Sequence, residues 1–288
     1  MLERTTAAVL FPGQGAATGE SRPLVEAHCE RLYATARELL GADPFERADE
    51  STRYAQPAIY LASLAGWRAC AQAGIAPFAF AGHSLGEVSA LAAAGVLSAD
   101  DALALVVLRA RLMEEATASA AGGMLAILKG TVEQAEQLAL HHDLHVANYN
   151  APGQTVLSGE LEALDDAARD ARGQGLRALR LNVSGAFHSP ALDPARERFR
   201  AALATVSFGR PAAPVFSSMT AAPFTDPAAE LAAALTEPVR WSETMLALAR
   251  LGAGAYIDVG PDRVLERLAA RNVGGAELID REGHRALT

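Results

Sequence analysis

Short apolar runs alternate along the chain with segments whose apolar residues recur at helical spacing. The runs AAVLF (7–11) and PFAFAGH (77–83) each lead into a glycine-containing turn, which is typical of buried strands. Segments 56–74 and 85–95 carry apolar residues at helical spacing and stop at glycine, as helices commonly do. This alternation predicts an α/β fold with an open, mainly parallel sheet.

The pattern changes between residues 122 and 184. Strands are predicted at 122–128, 144–150, 153–159 and 176–184, and helices at 131–142 and 160–175. The order β-α-β-β-α-β is that of a ferredoxin-like unit. We therefore predict that residues 1–121 and 185–288 form one large α/β subdomain and that residues 122–184 form a small subdomain inserted into it.

Composition and charge narrow the function classes. Half of the residues are hydrophobic, a fifth are charged, and the formal net charge is −9 without a run of basic residues, so nucleic acid is not an expected partner. No signal peptide and no stretch of 18 apolar residues is recognisable, so we expect a cytoplasmic protein that does not enter a membrane. Cys29 and Cys70 lie in helical patterns and are expected to be free thiols.

Residues 82–86, Gly-His-Ser-Leu-Gly, match the pattern G-x-S-x-G. The pentapeptide alone is common, but here Ser84 lies between a predicted strand and a predicted helix. A sharp turn in that position lifts the hydroxyl out of the sheet and points a helix N-terminus at it. Ser84 is therefore a candidate nucleophile.

Three further residues are candidates for chemistry with such a serine. His188, in NVSGAFHSPAL, follows a predicted strand and could be its general base. The glycine loop FPGQG (11–15) offers backbone N–H groups to an anion, although a plain tight turn also explains its glycines but not Gln14. Arg109 lies on a helix and reads most simply as a surface residue, but a guanidinium can also grip a carboxylate with two hydrogen bonds.

The other histidines favour structural roles. His83 adjoins Ser84, and adjacent side chains at a strand end point apart. His141, His142 and His145 lie at a helix end and in a loop, with no cysteine or paired carboxylate at ligand spacing. We therefore expect no metal site.

Eight motifs distributed along nearly the whole chain carry a family resemblance. From residue 11 to about residue 265 they are FPGQG, QPAIY, GHSLGE, LRARLMEEA, NYNAPGQTVLSG, GAFHSP, EPVRW and VGPDRVL. In kind and order they resemble those of the malonyl-CoA:acyl-carrier-protein transacylases and of the acyltransferase domains of polyketide synthases. The resemblance implies an α/β-hydrolase-like core with a ferredoxin-like insertion, which agrees with the pattern above.

The resemblance also implies roles for individual residues. Ser84 corresponds to the family nucleophile and His188 to its general base. The backbone N–H groups of Leu85 and Gln14 would form the oxyanion hole, and Arg109 corresponds to the arginine that binds the free carboxylate of a malonyl group. Related editing hydrolases generally lack that arginine, so its presence favours a dicarboxylic acyl group.

Acyl selectivity rests on weaker correspondences. Phe187, before the candidate base, resembles the phenylalanine of malonyl-selective members, where methylmalonyl-selective members usually carry serine. Asn150 matches a loop that lines the cleft, although it could equally form a turn. Ala234 departs from the family pattern, which has glutamine or asparagine there, with a main-chain carbonyl that orients the histidine. The segment GQGAATGESRP also looks shorter than in many relatives.

The resemblance implies an enzyme that moves malonyl from malonyl-CoA to the phosphopantetheine thiol of an acyl carrier protein, acting in trans in polyketide or fatty-acid synthesis. We expect a monomer without a bound cofactor. Because carrier proteins are typically acidic, docking requires a local basic patch, for which Lys129, Arg177, Arg180 and Arg240 are candidates. The alternatives are transfer of a different acyl group, a carrier-protein thioester hydrolase of the same fold, and a docking subunit without catalytic activity.

Overall fold

Two β-sheets organise the molecule. The computed structural model describes residues 6–13, 19–119, 121–183, 185–281 and 284. The strands in this part of the chain are β1 (Thr6–Phe11), β2 (Ala76–Gly82), β3 (Gly122–Leu128), β4 (His145–Ala151), β5 (Gln154–Glu160), β6 (Arg177–Arg180), β7 (Val215–Ser217), β8 (Ala222–Pro223), β9 (Ala255–Asp258) and β10 (Glu277–Leu278).

Helices cover the sheets. None of those in the described ranges is long and apolar enough to cross a membrane. They are α1 (Arg22–Leu40), α2 (Thr52–Gln72), α3 (Gly86–Ala93), α4 (Ala99–Ser119), α5 (Val132–His141), α6 (Leu161–Gly173), α7 (Asp193–Leu203), α8 (Pro227–Ala233), α9 (Trp241–Arg250) and α10 (Val264–Asn272).

The larger sheet has the strand order β10-β9-β1-β2-β7-β8, in which every pair is parallel except β7 with β8 at the edge. Strand β1 lies inside this sheet, and successive side chains of a strand point to opposite faces. Val9 and Phe11 pack under α1 to α4, whereas Ala8 and Leu10 pack against α9 and α10. Both faces are therefore covered, which explains why the strand sequence is apolar throughout.

The smaller sheet has the order β4-β5-β3-β6 and is antiparallel throughout. One face packs against α5 and α6 through residues such as Leu125 and Leu157. The other face, which includes Met124 and Val156, packs against residues of the large part such as Phe187. The prediction of a mainly parallel sheet with a separate βαββαβ unit is confirmed.

The two sheets are joined through the outer edge of β4. Val239 donates its N–H to the carbonyl of Ala147 and accepts from the N–H of Tyr149, both at 2.8 Å. This pairing fixes the edge of the small sheet against the segment that precedes α9, so that the two sheets face each other across a cleft.

Strand β6 is shorter than predicted. The apolar pattern indicated a strand over 176–184, but the strand ends at Arg180. Leu181 and Val183, which extend that pattern, line the cleft instead. Leu181 still donates its N–H to the carbonyl of Met124 on β3 at 3.0 Å, so the apolar character of the two residues reflects their place in the cleft wall at the end of the sheet.

Candidate active site

Ser84 occupies a turn between β2 and α3, and its backbone is left-handed, with φ of 54°. The flanking glycines let the chain pass unusually close to its neighbours. A Cβ atom on Gly86 would lie 2.0 Å from the carbonyl oxygen of Phe11, and one on Gly82 would lie 2.0 Å from the carbonyl carbon of Gly86. Both positions therefore require glycine, and the strained turn holds the Ser84 hydroxyl above the sheet.

His188 lies directly beside this hydroxyl. Its Nε2 is 2.9 Å from Ser84 Oγ, and its Nδ1 is 3.0 Å from the main-chain carbonyl of Glu237. The carbonyl can only accept, so Nδ1 carries the proton and the Nε2 lone pair faces the serine. Hydrogen bonding to the main-chain carbonyl of Ala234, like that to Glu237, raises the pKa of the ring. The expected orienting carbonyl at Ala234 is thus joined by that of Glu237, three residues later and just beyond the end of α8.

The imidazole of His188 is held neutral. Burial lowers its pKa to about 3, and the charge of Arg109 adds to that effect, as a proton on His83 would. A neutral imidazole hydrogen-bonded to a serine hydroxyl can accept its proton at physiological pH. The pair therefore has the geometry and the protonation state of a nucleophile with its general base.

Arg109 reaches the same point from α4. Its side chain donates to Ser84 Oγ at 3.1 Å and to Gln56 Oε1 at 2.6 Å, and the residue is only 4% exposed. Among the residues that the structure describes, no carboxylate lies within 4.0 Å of the guanidinium. The interpretation of Arg109 as a surface residue is wrong, because the helix turns this side chain inward. Burial lowers its pKa to about 10, still well above physiological pH, so the guanidinium stays charged, and the carboxyl of Glu87 acts on it from beyond 4.0 Å.

Glu87 is the buried acidic residue nearest in sequence to the nucleophile. One carboxylate oxygen accepts from the N–H of Ser218 at 2.6 Å and from its hydroxyl at 3.0 Å. Burial raises the pKa of this carboxyl to about 7, although these hydrogen bonds and the charge of Arg109 oppose the shift. Glu87 thus ties the nucleophile helix to the loop after β7.

A cleft of about 240 Å³ opens over Ser84 between the two sheets. Its walls are mostly apolar, and its polar groups converge on the serine, as is usual for small-molecule sites. Besides Ser84, Arg109 and His188, the lining includes Leu85, Met113, Met124, Asn150, Gln154, Val156, Leu181, Val183, Phe187 and Leu268.

The structure brings most of the predicted site residues to this cleft. Leu85 is buried at the N-cap position of α3, and Phe187 is 4% exposed in the cleft wall. Asn150 also lines the cleft, where its Oδ1 lies 2.8 Å from His83 Nε2. Gln14 lies outside the described residues.

Two contacts of the site were not predicted from the sequence. Gln56, which orients Arg109, is a polar residue on an otherwise apolar stretch of helix, and that mismatch was the available signal. The pairing of His83 with Asn150 joins residues that are 67 positions apart, and no local pattern indicates it.

His141 and His142, at the end of α5, lie near Asp170 of α6. His142 Nε2 lies 2.9 Å from the carboxylate of Asp170, and His141 is close to both, with the three potential ligand atoms within 4.8 Å of one another. Asp170 comes from α6, so its proximity could not be inferred from spacing near the histidines. The contact between His142 and Asp170 links the ends of α5 and α6.

The fold and the site together define a class of protein, namely α/β enzymes with a serine and histidine pair at a nucleophile turn. The particular family follows from comparison with known proteins. A family model described as "Acyl transferase domain" matches residues 38–280. The chain belongs to this acyltransferase family.

Named relatives are similar over almost the whole chain. The malonyl CoA-acyl carrier protein transacylase of Salmonella typhimurium is 35% identical, with 93% of each chain covered. A crystal structure of malonyl-CoA:acyl carrier protein transacylase from Xanthomonas oryzae pv. oryzae aligns with a TM-score of 0.89 at 32% identity, covering 98% of this chain and 96% of that one. A malonyl-transacylase in complex with its type II polyketide synthase acyl-carrier protein aligns at 0.86 and 33% identity, covering 97% and 96%.

Proposed function

We propose that this protein transfers a malonyl group from malonyl-CoA to the phosphopantetheine thiol of an acyl carrier protein, acting in trans in polyketide or fatty-acid synthesis. The observation that carries the proposal is the buried guanidinium of Arg109 beside the hydroxyl of Ser84, with no carboxylate within 4.0 Å of it in the described part of the chain. An acyl group with a free carboxylate supplies the anion that this site lacks. The named relatives support the same assignment.

In the first half-reaction, His188 Nε2 takes the proton from Ser84 Oγ as the oxygen attacks the thioester carbonyl. The negative charge that develops on the carbonyl oxygen would be held by the main-chain N–H groups of Leu85 and Gln14, and one such donor is worth about 3 kcal/mol. When the tetrahedral intermediate collapses, the C–S bond breaks and His188 returns the proton to the departing thiolate of CoA. Malonyl-Ser84 ester remains.

In the second half-reaction, the phosphopantetheine thiol enters the cleft and gives its proton to His188. The thiolate attacks the ester carbonyl, the C–O bond breaks, and Ser84 recovers its proton from His188. Arg109 holds the malonyl carboxylate through both steps, and Phe187 limits the space beside the acyl α-carbon. Discrimination against one extra methyl group is worth about 1 to 3 kcal/mol.

Proton transfer through Ser84 and His188 balances both half-reactions, so the mechanism requires no metal ion or bound cofactor. We also propose that the protein acts as a monomer in the cytoplasm. Size-exclusion chromatography with light scattering tests the monomer, and fractionation of the producing cells tests the location.

Intact mass spectrometry after incubation with a panel of acyl-CoA donors tests the proposed function. Malonyl is expected to add to the protein and to leave when a carrier protein is supplied, whereas Ser84→Ala should take up none. Covalent malonyl on Ser84→Ala, or rapid release of free malonate without a carrier, would overturn the proposal; the second result would indicate a hydrolase.

Arg109→Ala separates carboxylate recognition from the chemistry of acyl transfer. Loading of malonyl should fall far more than loading of acetyl, which has no carboxylate to bind. Arg111→Ala is the matched control, since Arg111 lies on the same helix but is exposed. Equal loss of both acyl groups in Arg109→Ala would remove Arg109 from this role.

A further inference from the structure

His83, the residue before the nucleophile, is tied to the small sheet. Its Nε2 lies 2.8 Å from Oδ1 of Asn150, which belongs to β4. His83 therefore connects the nucleophile turn of the large sheet with a strand on the opposite side of the cleft.

Asn150 is itself fixed from the other side. Its main-chain carbonyl accepts from the side-chain amide of Asn272 on α10 at 2.8 Å, and Asn272 Oδ1 accepts from the hydroxyl of Ser242 on α9 at 2.7 Å. The side-chain carbonyl of Asn150 is thus presented to His83 from a strand that two helices hold in place.

The geometry sets the tautomer of His83. An amide oxygen only accepts hydrogen bonds, so Nε2 of His83 carries a proton. In a neutral ring Nδ1 is then unprotonated, and this nitrogen faces the loop after β1, where a Cβ on Gly13 would lie 3.4 Å away. The indole of Trp241 packs on the ring with centroids 5.4 Å apart. None of these three neighbours carries a charge.

Burial makes a second proton on His83 unfavourable. Burial lowers the pKa of its imidazole and outweighs the hydrogen bonds to Asn150 and to its own main-chain carbonyl, which raise it; no carboxylate within the described ranges lies within 4.0 Å of the ring. His83 acts on His188, on which Arg109 also acts, and Glu87 acts on Arg109 in turn. A charged His83 would oppose the positive charge that His188 gains when it takes the serine proton.

We propose that Asn150 is a positioning residue that fixes His83 as the neutral Nε2–H tautomer, and so keeps an additional positive charge away from the Ser84 and His188 pair. This inference rests on the proposed function, because the charge matters only when His188 acts as a base. An amide suits this purpose and a carboxylate does not, since a carboxylate at the same place would stabilise the imidazolium form.

The test is the Asn150→Asp substitution, followed by two readouts. Heteronuclear NMR of the imidazole nitrogens should show His83 neutral and protonated at Nε2 in the wild type at neutral pH, and doubly protonated in the variant. The rate of Ser84 acylation by malonyl-CoA should rise about tenfold in the variant from about pH 6 to about pH 9, as His83 loses its second proton. The wild-type rate should be nearly flat over that range.

Asn182→Asp is the control, because Asn182 is an exposed asparagine. It should keep the pH profile of the wild type. If Asn150→Asp lowers the rate by the same factor at every pH, Asn150 has only a packing role and the proposal is wrong. A wild-type His83 protonated at Nδ1 would also overturn it.

Two further results keep the test informative. Should Asn150→Asp not fold, Asn150→Leu serves instead and is expected to show a mixture of His83 tautomers; an unchanged Nε2–H tautomer would contradict the proposal. If the wild type does not accept malonyl at all, the proposed function fails, while the NMR readout still decides the state of His83.

Discussion

A single buried guanidinium sets the chemistry of this cleft. An isolated charge removed from water costs several kcal/mol unless another group compensates it. Among the described residues, Arg109 donates to the neutral oxygens of Gln56 and Ser84, and the carboxyl of Glu87 acts on it from beyond 4.0 Å, although the chain has 34 acidic residues against 25 lysines and arginines. An anionic substrate can place its carboxylate in direct contact with this guanidinium, so the acyl carboxylate completes the site.

The first prediction concerns Gln56, which orients this guanidinium. Gln56→Leu removes the acceptor at 2.6 Å, and a hydrogen bond to a charged group is worth about 1.5 to 3 kcal/mol. We expect kcat/KM for malonyl loading to fall about 10- to 100-fold, with little change for acetyl. Gln56→Glu should lower malonyl loading further, because the new carboxylate would occupy the guanidinium.

Steady-state loading assays with both donors check this prediction. Gln72→Leu, an exposed position at the end of the same helix, is the control and should behave as the wild type. A parallel loss for malonyl and acetyl in Gln56→Leu would mean that Gln56 supports the fold of the site rather than the orientation of Arg109.

Individual residues differ in how far the sequence predicts them. Ser84 lies in a motif whose neighbours force the turn, so its place at a strand end follows from local sequence. The inward direction of Arg109 could not be derived from its helix alone and depended on the family resemblance. Gln14 lies outside the described residues, so its role in the oxyanion hole stays a prediction.

At the scale of elements, apolar spacing and glycine positions predict those strands and helices whose formation depends on local sequence. The strand and helix positions from 56 to 175 follow apolar spacing and glycine stops closely. Strand β6 does not, because the apolar side chains of Leu181 and Val183 after Arg180 line the cleft. The division of the chain at residues 121 and 184 into subdomains stays a prediction, since the pairing of Val239 with β4 joins the two parts.

The second prediction concerns the attachment of helix α3. The pKa of Glu87 is raised to about 7 in the folded protein, above its unfolded value. Its contribution to stability is therefore fully present below the unfolded pKa and is lost as pH rises through 7. The loss is on the order of 3 kcal/mol, from 1.4 kcal/mol per pKa unit.

Glu87→Gln retains the acceptor for Ser218 but does not titrate. The free energy of unfolding of this variant, measured in denaturant, should therefore increase relative to that of the wild type as the pH rises from about 5 to about 8. The exposed Glu26→Gln serves as control and should run parallel to the wild type. A constant difference between Glu87→Gln and the wild type over this range would rule out the titration of Glu87 as the cause.

At the scale of the whole molecule, the net charge of −9 would repel an acidic carrier protein, so docking requires a local group of basic residues. Of the four basic residues proposed for docking, Arg240 pairs with Glu243 and Arg180 lies 3.8 Å from Asp165. Lys129 and Arg177 are exposed and have no carboxylate within 4.0 Å in the described part of the chain. They are also neighbours, because Leu128 pairs with Arg177 across β3 and β6.

The third prediction is that carrier docking depends on this unneutralised pair. Lys129→Glu and Arg177→Glu should raise the KM for the carrier protein several-fold at low salt, and the effect should shrink as ionic strength rises. Loading from malonyl-CoA should not change. Arg240→Glu should have a smaller effect, and charge reversals that leave carrier saturation untouched would refute the assignment.

The left-handed backbone of Ser84 makes the active enzyme less durable than an inactive form of itself. A side chain in that conformation costs about 1 kcal/mol that glycine avoids. Ser84→Gly should therefore unfold at a higher temperature than Ser84→Ala, although both lack the hydroxyl, and calorimetry of the two variants measures the difference. Selection for thermal stability alone would favour loss of the nucleophile. Such a selection must therefore also require catalytic turnover.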